Sequence, residues 1–286
     1  MGSVPASMLF IAPMDEEPFY RAQPDEGFES SNFSHVAHDV QVHDARPNKS
    51  VFELDKHGFA YVDDPEGAKL VEQLRRNDDG AKEQYYAHLE QLIKKQTGAS
   101  RVVIFDHTLR RRIPELKGKN PDGREQPAGN VHIDQGPIGA VRRVHQHVGY
   151  GSDKLLKTRV QIINAWRPLN GPVQDWPLAT MDFTTLKTSN IHPGNLYHNR
   201  FELRGQSCSI SHHPDQRWYY LDSQRNDEMT FIKIWDNKPA VTGKACAHCA
   251  FEHPATPKDA PLRESMEVRC IVAYEDEELA STFWWT

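Results

Sequence analysis

The feature that most constrains the fold is a series of short runs rich in β-branched and aromatic residues, which starts near residue 101. Glycine, proline, asparagine and aspartate separate the runs, and these residues favour turns. The runs cover residues 102–105, 160–163, 208–211, 218–221, 229–235 and 267–274. Many short strands spaced in this way predict an antiparallel β-sandwich or barrel with helices packed on its outside.

The N-terminal part of the chain has a different pattern. Residues 1–50 are polar and rich in turn formers, which predicts an extended arm with room for one strand. Asp64 can cap a helix and Pro65 suits its first turn, so helices are expected over about 65–76 and 79–97. These helices precede the β-rich part and should pack against it.

No segment of the sequence looks like a linker between two domains. The chain has 286 residues, of which 38% are hydrophobic, enough for one sizeable core. We therefore expect a single domain over residues 1–286, mainly β with flanking helices. Residues 1–100 would form the arm and helices, and residues 101–280 the β core.

Composition also excludes several classes of partner. A formal net charge of −6 argues against nucleic acid, because phosphate binding requires a basic face. No hydrophobic run approaches 18 residues, so no membrane span is expected. The four cysteines do not form a disulfide framework for a chain of this length, which favours a reducing compartment and a cytoplasmic location. The oligomeric state stays open, with a homodimer as one alternative.

A short motif, His132-Ile133-Asp134, carries the first functional indication. On a strand, residues two apart point to the same face, so the imidazole and the carboxylate can meet one metal ion. Polar and hydrophobic residues alternate around the motif, as expected for a strand at the mouth of a barrel. Two histidines and one carboxylate suit Fe(II) and leave three positions open for a bidentate co-substrate and for O2.

The second histidine of such a site should come from a strand distant in the sequence. His248 lies among small, hydrophobic residues that would allow close approach to a metal, and it is the favoured candidate. His253 precedes a proline and looks like a turn residue. His212 and His213 are adjacent, so at most one of them can face inward.

A co-substrate with a distal carboxylate requires a buried cation, and arginine matches a carboxylate with two parallel hydrogen bonds. After His248, the strand period puts Arg263, Ser265, Glu267 and Arg269 on one face. Arg263 is the first candidate to bind 2-oxoglutarate, with Ser265 as a helper and Arg269 as the alternative. The competing interpretation is an exposed sheet face with an Arg–Glu ladder.

Asn164 and Arg167 flank Trp166 in another β-like run. In one interpretation Trp166 is a core residue and Arg167 pairs with a surface acid. In the functional interpretation this strand lies beside the metal, and Asn164 or Arg167 holds a carboxylate. The sequence alone leaves both interpretations open.

These segments together resemble the fungal hydroxylase/desaturase family of secondary-metabolite gene clusters, which includes a gibberellin desaturase. The resemblance is carried by VHIDQ at 131–135, IINAWRPL at 162–169, WYY at 218–220 with FIKIWD at 231–236, and HCAF at 248–251 followed by RESMEVR at 263–269. It implies a double-stranded β-helix (jelly-roll) core that binds Fe(II) and 2-oxoglutarate. By position, the metal ligands would be His132, Asp134 and His248.

The same resemblance implies the reaction: hydroxylation or desaturation of a small molecule with O2, releasing succinate and CO2. The runner-up is a non-oxidative isomerase or hydrolase that uses Zn(II) on the same barrel, and a binding protein without chemistry is a third alternative. An isomerase or hydrolase would need no arginine clamp and would release no succinate.

Overall fold

The computed structural model describes residues 2–24, 26–116, 120–199 and 201–280. Within them the chain forms fourteen strands in two sheets, which confirms the mainly β fold class. The larger sheet has nine strands, which in spatial order are β1 (Ser3–Ile11), β3 (His35–Asp44), β11 (Trp218–Tyr220), β8 (Leu178–Met181), β13 (His248–Ala250), β6 (His132–Ile133), β10 (Leu203–Ile210), β9 (Ile191–Tyr197) and β2 (Phe19–Arg21). Two of its pairs, β3–β11 and β2–β9, are parallel, and the others are antiparallel.

The smaller sheet has five antiparallel strands. In spatial order they are β4 (Phe59–Asp63), β12 (Glu228–Asp236), β7 (Thr158–Pro168), β14 (Glu264–Glu278) and β5 (Arg101–Arg111). The two sheets face each other in the jelly-roll arrangement that the family resemblance implied. Ile162 and Trp166 of β7 belong to the hydrophobic core that includes residues of the larger sheet, whereas Ile163 and Ala165 belong to a second core on the other side.

The helices between residues 65 and 97 cover that second side of the smaller sheet. Tyr85, Leu89 and Ile93 are fully buried there, on the hydrophobic stripe of the longest helix. The helices are α1 (Leu54–His57), α2 (Pro65–Ala68), α3 (Val71–Arg75), α4 (Asp79–Thr97), α5 (Pro137–Val148) and α6 (Ser152–Leu155). The predicted helices at 65–76 and 79–97 thus correspond to α2 with α3, and to α4. None of the described helices combines the length and the hydrophobicity needed to cross a membrane.

The N-terminal arm is more regular than expected. It contributes three strands to the larger sheet instead of one, and β1 pairs with β3 from Ser3 opposite His43 to Ile11 opposite His35. At the far end of this hairpin, Leu9 forms a bridge with Asn130, next to the start of β6. These partners are distant in sequence or separated by a long loop, so the local sequence pattern did not reveal the pairing.

Candidate metal and co-substrate site

Two adjacent strands of the larger sheet bring the predicted triad together. His132 in β6 and His248 in β13 are direct cross-strand partners, and their ring centroids lie 4.5 Å apart. Asp134 follows β6 immediately, and its Oδ1 lies 3.2 Å from Nε2 of His132 and 4.0 Å from Nε2 of His248. Among the described residues this is the one group of three histidine, cysteine or acidic side chains whose donor atoms all lie within 4.8 Å.

The turn after Asp134 is held by close backbone packing. The amide of Gly136 donates to the carbonyl of Gln206 in β10, at 2.8 Å. A Cβ on Gly139 would lie 2.4 Å from that carbonyl oxygen, so only glycine lets α5 pack this closely on β10. The chain therefore leaves β6 in one fixed direction, and this direction orients the Asp134 side chain.

Both histidine rings are held in the tautomer that a metal requires. Nδ1 of His132 donates to the carbonyl of Asn130 at 2.8 Å, and Nδ1 of His248 donates to the carbonyl of Cys246 at 3.1 Å. A carbonyl can only accept a hydrogen bond, so each Nδ1 carries a proton and Nε2 is the nitrogen of each ring that can bind a metal. Such contacts orient metal-binding histidines in proteins generally.

The three side chains also interact electrostatically. Burial lowers the pKa of His132, but its hydrogen bond to Asp134 and the charge of that carboxylate outweigh burial and raise the pKa above its ordinary value. Burial and the nearby His132 lower the pKa of His248. Burial alone would raise the pKa of Asp134, yet its contact with His132 and the charge of Arg269 hold it well below the usual range. These surroundings favour the anionic form of Asp134 and the neutral form of His248.

The second oxygen of Asp134 is occupied by donors from the smaller sheet. Nδ2 of Asn164 donates to Oδ2 at 2.7 Å, and Nε of Arg269 donates to the same oxygen at 3.3 Å. The strand β7 thus lies beside the metal site, as one interpretation of its sequence expected. Asn164 does hold a carboxylate, but it is the carboxylate of a metal ligand.

Arg263 lies just before β14 and is 3% exposed. Its Nη1 donates to the carbonyl of Trp176 at 2.5 Å, and the guanidinium lies 5.6 Å from the ring centroid of Trp166. Its Nε is buried without a hydrogen-bond partner, and no ion pair to it is found among the described residues. Burial and the charge of Arg110 lower the pKa of Arg263 to about 9. A buried cation of this kind is costly until an anion reaches it.

Among the buried atoms that lack partners are Oγ of Ser265, near this arginine, and Oδ1 of Asn164, which lies farther along β7 beside Asp134. Ser265 stands on β14 opposite Pro168 of β7, two residues after Arg263, and is 1% exposed. Buried polar atoms are normally hydrogen-bonded, so orphaned polar atoms beside a buried cation indicate a place for a polar ligand. A dicarboxylate such as 2-oxoglutarate fits the donors of Arg263 and Ser265.

The alternative candidate, Arg269, is already engaged. It donates from Nε to Asp134, from Nη1 to Asp106 and Thr108 at 3.1 and 2.7 Å, and from Nη2 to Glu267 at 2.6 Å. Four of its five N–H groups are thereby used within the protein. A further carboxylate would have to displace these contacts, so Arg269 is poorly suited to bind the co-substrate.

The prediction that Arg167 holds a co-substrate carboxylate needs correction. Arg167 is fully buried on the side of β7 that faces the helices, away from the triad. It forms an ion pair with Asp64 and donates from Nε to the hydroxyl of Tyr85 at 2.9 Å. Residues three apart on a strand point to opposite faces, so Arg167 and Asn164 could not both face the metal.

The remaining histidine candidates lie outside the triad. Nε2 of His253 is 3.2 Å from the hydroxyl of Tyr220, and its Nδ1 accepts from the backbone of Ala255. His212 stacks on His38 with ring centroids 4.2 Å apart, and His213 contacts Lys187. The small, hydrophobic surroundings of His248 therefore identified the histidine that meets the motif.

Sequence reasoning missed two residues around Arg263. Trp176 supplies the carbonyl that Arg263 binds, and its own indole Nε1 is buried without a partner. Arg110 belongs to a run of three arginines at 110–112, yet its side chain is only 14% exposed and pairs with Glu125 at 3.1 Å. Arg110 stands opposite Ser265 across β5 and β14. Only the strand register, which the sequence does not reveal, brings it near the site.

Comparison with known proteins adds a family to this geometry. A family model described as "Oxidoreductase/YMDC permease-like domain" matches residues 8–273. The Fe(II)/2-oxoglutarate-dependent dioxygenase nvfI of Aspergillus novofumigatus is 40% identical over 273 residues, covering 93% of this chain and 95% of that protein. The hydroxylase/desaturase efuI of Hormonema carpetanum is 33% identical and covers 87% of this chain and 88% of that protein.

A shorter match is more similar in sequence. The aspirochlorine biosynthesis protein N of Aspergillus oryzae is 65% identical over 144 residues, which are 50% of this chain and 60% of that protein. Among solved structures, the iron and alpha-ketoglutarate-dependent endoperoxidase NvfI superposes with a TM-score of 0.86 at 38% identity, covering 95% of this chain and 98% of that one. These matches confirm the resemblance to fungal hydroxylase/desaturases and the jelly-roll fold.

Proposed function

Because the chain belongs to the family of fungal Fe(II)/2-oxoglutarate-dependent dioxygenases and hydroxylase/desaturases, we propose that it is an oxygenase that hydroxylates or desaturates a small secondary metabolite. Its co-substrates would be 2-oxoglutarate and O2, and its products would include succinate and CO2. Relatives named as a dioxygenase, a hydroxylase/desaturase and an endoperoxidase support oxidative chemistry on a small molecule.

One observation carries the proposal: a metal-binding triad shares the interior with a buried arginine that has no anionic partner among the described residues. His132, His248 and Asp134 would hold Fe(II) through two Nε2 atoms and Oδ1. Arg263, with Ser265 beside it, would bind the distal carboxylate of 2-oxoglutarate. A non-oxidative zinc enzyme would have no use for this unpaired cation, so the oxidative interpretation is favoured.

O2 is the oxidant and accepts four electrons; bound Fe(II) would activate it, and the conversion of 2-oxoglutarate to succinate and CO2 would provide two of those electrons. The substrate provides the other two electrons, either when it gains a C–O bond or when it becomes an alkene and water is released. The protein would then position the substrate and exclude water. The buried ring of Trp166 and the closed packing around His248 serve this purpose.

The test is an anaerobic titration of the protein with Fe(II) and then 2-oxoglutarate. Chelation of iron by the keto acid gives a weak visible charge-transfer band, which we expect for the wild type and not for His132→Ala. Admission of O2 should then yield succinate. Absence of the band in the wild type, or an equal band in His132→Ala, would overturn the proposal. Turnover supported by Zn(II) without O2 would favour an isomerase or hydrolase.

We also propose that the protein works in the cytoplasm as one domain. All four cysteines are free and buried, which supports a reducing compartment. The strands of the N-terminal arm are part of the larger sheet, which supports a single folding unit. Limited proteolysis should therefore give no stable fragment that lacks the arm.

A further inference from the structure

The two oxygens of Asp134 lie in different surroundings. Oδ1 points toward Nε2 of both triad histidines. Oδ2 points the other way and accepts two hydrogen bonds, at 2.7 Å from Asn164 and at 3.3 Å from Arg269. The donors belong to β7 and β14, where these two residues are direct cross-strand partners.

Both donors are themselves held in place. Asn164 is fully buried within β7. Arg269 is anchored at its other nitrogens by Glu267, Asp106 and Thr108, with donor–acceptor distances of 2.6, 3.1 and 2.7 Å. A side chain fixed at three points cannot follow the carboxylate if the carboxylate rotates. The smaller sheet thus presents a rigid pair of donors to one oxygen of a residue that belongs to the larger sheet.

We propose that Asn164 and Arg269 are positioning residues that hold Oδ2 and leave Oδ1 as the single ligand oxygen of Asp134. The inference rests on the proposed function, because it concerns the metal of the same site. Carboxylates bind metals through one oxygen or through both. An octahedral ion with three protein ligands keeps three open positions, two for 2-oxoglutarate and one for O2. A second oxygen from Asp134 would remove one of them.

The consequence is that these residues act on the metal without contacting the co-substrate. Contacts of this kind behind a ligand typically change metal affinity by about 10- to 100-fold when they are removed. Arg269→Gln and Asn164→Ala should each weaken metal binding roughly tenfold, and the double variant on the order of 100-fold. Arg269→Lys keeps a charge and one donor, so it should recover part of the loss.

The experiment is a titration of the metal-free protein with Co(II), which is stable in air and replaces Fe(II) in nitrogen and oxygen sites. The dissociation constant reports affinity, and the intensity of the visible d–d bands reports coordination number. We expect weaker binding in the variants, together with a changed band intensity that Arg269→Lys partly restores. A purely structural role would lower thermal stability without changing the bands.

Arg159→Lys is the matched control, because Arg159 is a buried, ion-paired arginine of β7 whose partners are Asp55 and Asp236. It should lose stability and keep the Co(II) affinity of the wild type. If Arg269→Gln does not fold, Asn164→Ala provides the test, since it leaves the ion pairs of Arg269 intact. Unchanged affinity and unchanged bands in Asn164→Ala would overturn the inference. Failure of the wild type to bind one Co(II) would overturn the proposed function itself.

Discussion

Replacement of Arg263 by glutamine should weaken 2-oxoglutarate binding while iron binding stays intact. Glutamine keeps much of the side-chain length and a polar end, but it removes the positive charge. Arg263 is buried, its Nε has no partner, and its side-chain hydrogen bond goes to the carbonyl of Trp176. The guanidinium is therefore available to a carboxylate.

The size of the effect follows from the burial of the pair. A hydrogen bond that involves a charged group contributes about 1.5–3 kcal/mol, and truncating one partner of a buried charge pair costs about 2–5 kcal/mol. With about 1.4 kcal/mol for each factor of ten, the dissociation constant of 2-oxoglutarate should rise by roughly 30-fold to several thousand-fold. Arg263→Lys keeps the charge but loses the forked geometry, so its effect should be smaller.

The assay is an anaerobic titration of the iron-loaded protein with 2-oxoglutarate, followed by the visible charge-transfer band. Fe(II) affinity is measured separately, because a loss of iron would imitate a loss of co-substrate. Arg269→Lys provides the contrast: it should alter iron affinity first and 2-oxoglutarate affinity at saturating iron much less. Equal 2-oxoglutarate dissociation constants for wild type and Arg263→Gln, at equal iron occupancy, would refute the assignment.

Three predictions concern stability. Asp64→Asn leaves the buried guanidinium of Arg167 without its anion and should cost about 3–5 kcal/mol in urea unfolding; a loss below about 1 kcal/mol would contradict this. Asp78→Ala removes the hydrogen bond that caps α4 and should cost about 1 kcal/mol, with Asp79→Ala as the comparison that leaves the cap intact. Burial would raise the pKa of Glu228, but Arg46 and other donors lower it to about 2. The ionised carboxylate therefore stabilises the fold fully above its ordinary pKa of 4.5, and this stabilisation is lost as pH falls toward 2. Glu228→Gln should flatten that pH dependence of the free energy of unfolding.

Local patterns predicted the elements whose partners are close in sequence or whose hydrophobic periodicity extends over many residues. The expected helix over 79–97 coincides with α4, because a buried stripe and a cap are both local features. The His132 motif was equally local, since only the strand period was needed to put Asp134 on the same face. The structure then brought His248 beside them as a cross-strand partner.

Strand register and sheet faces could not be predicted in the same way. Every residue of β7 is buried, so the strand lacks the alternation of polar and hydrophobic residues that would separate its two faces. Asn164 and Arg167 consequently looked equivalent as carboxylate binders. Asn164 contacts Asp134 and Arg167 contacts Asp64, and this difference depends on which core lies on each side of the smaller sheet.

The charges of the site explain why its two cofactors belong together. Arg269 is paired with Glu267, Asp106 and Asp134, whereas Arg263 has no ion pair among the described residues. Iron would add two positive charges to a site that already holds the unpaired Arg263, and charges interact more strongly in a buried site than in water. The dianion of 2-oxoglutarate would balance the two charges of iron and give Arg263 its partner. Iron should therefore bind first and create the attraction for the co-substrate.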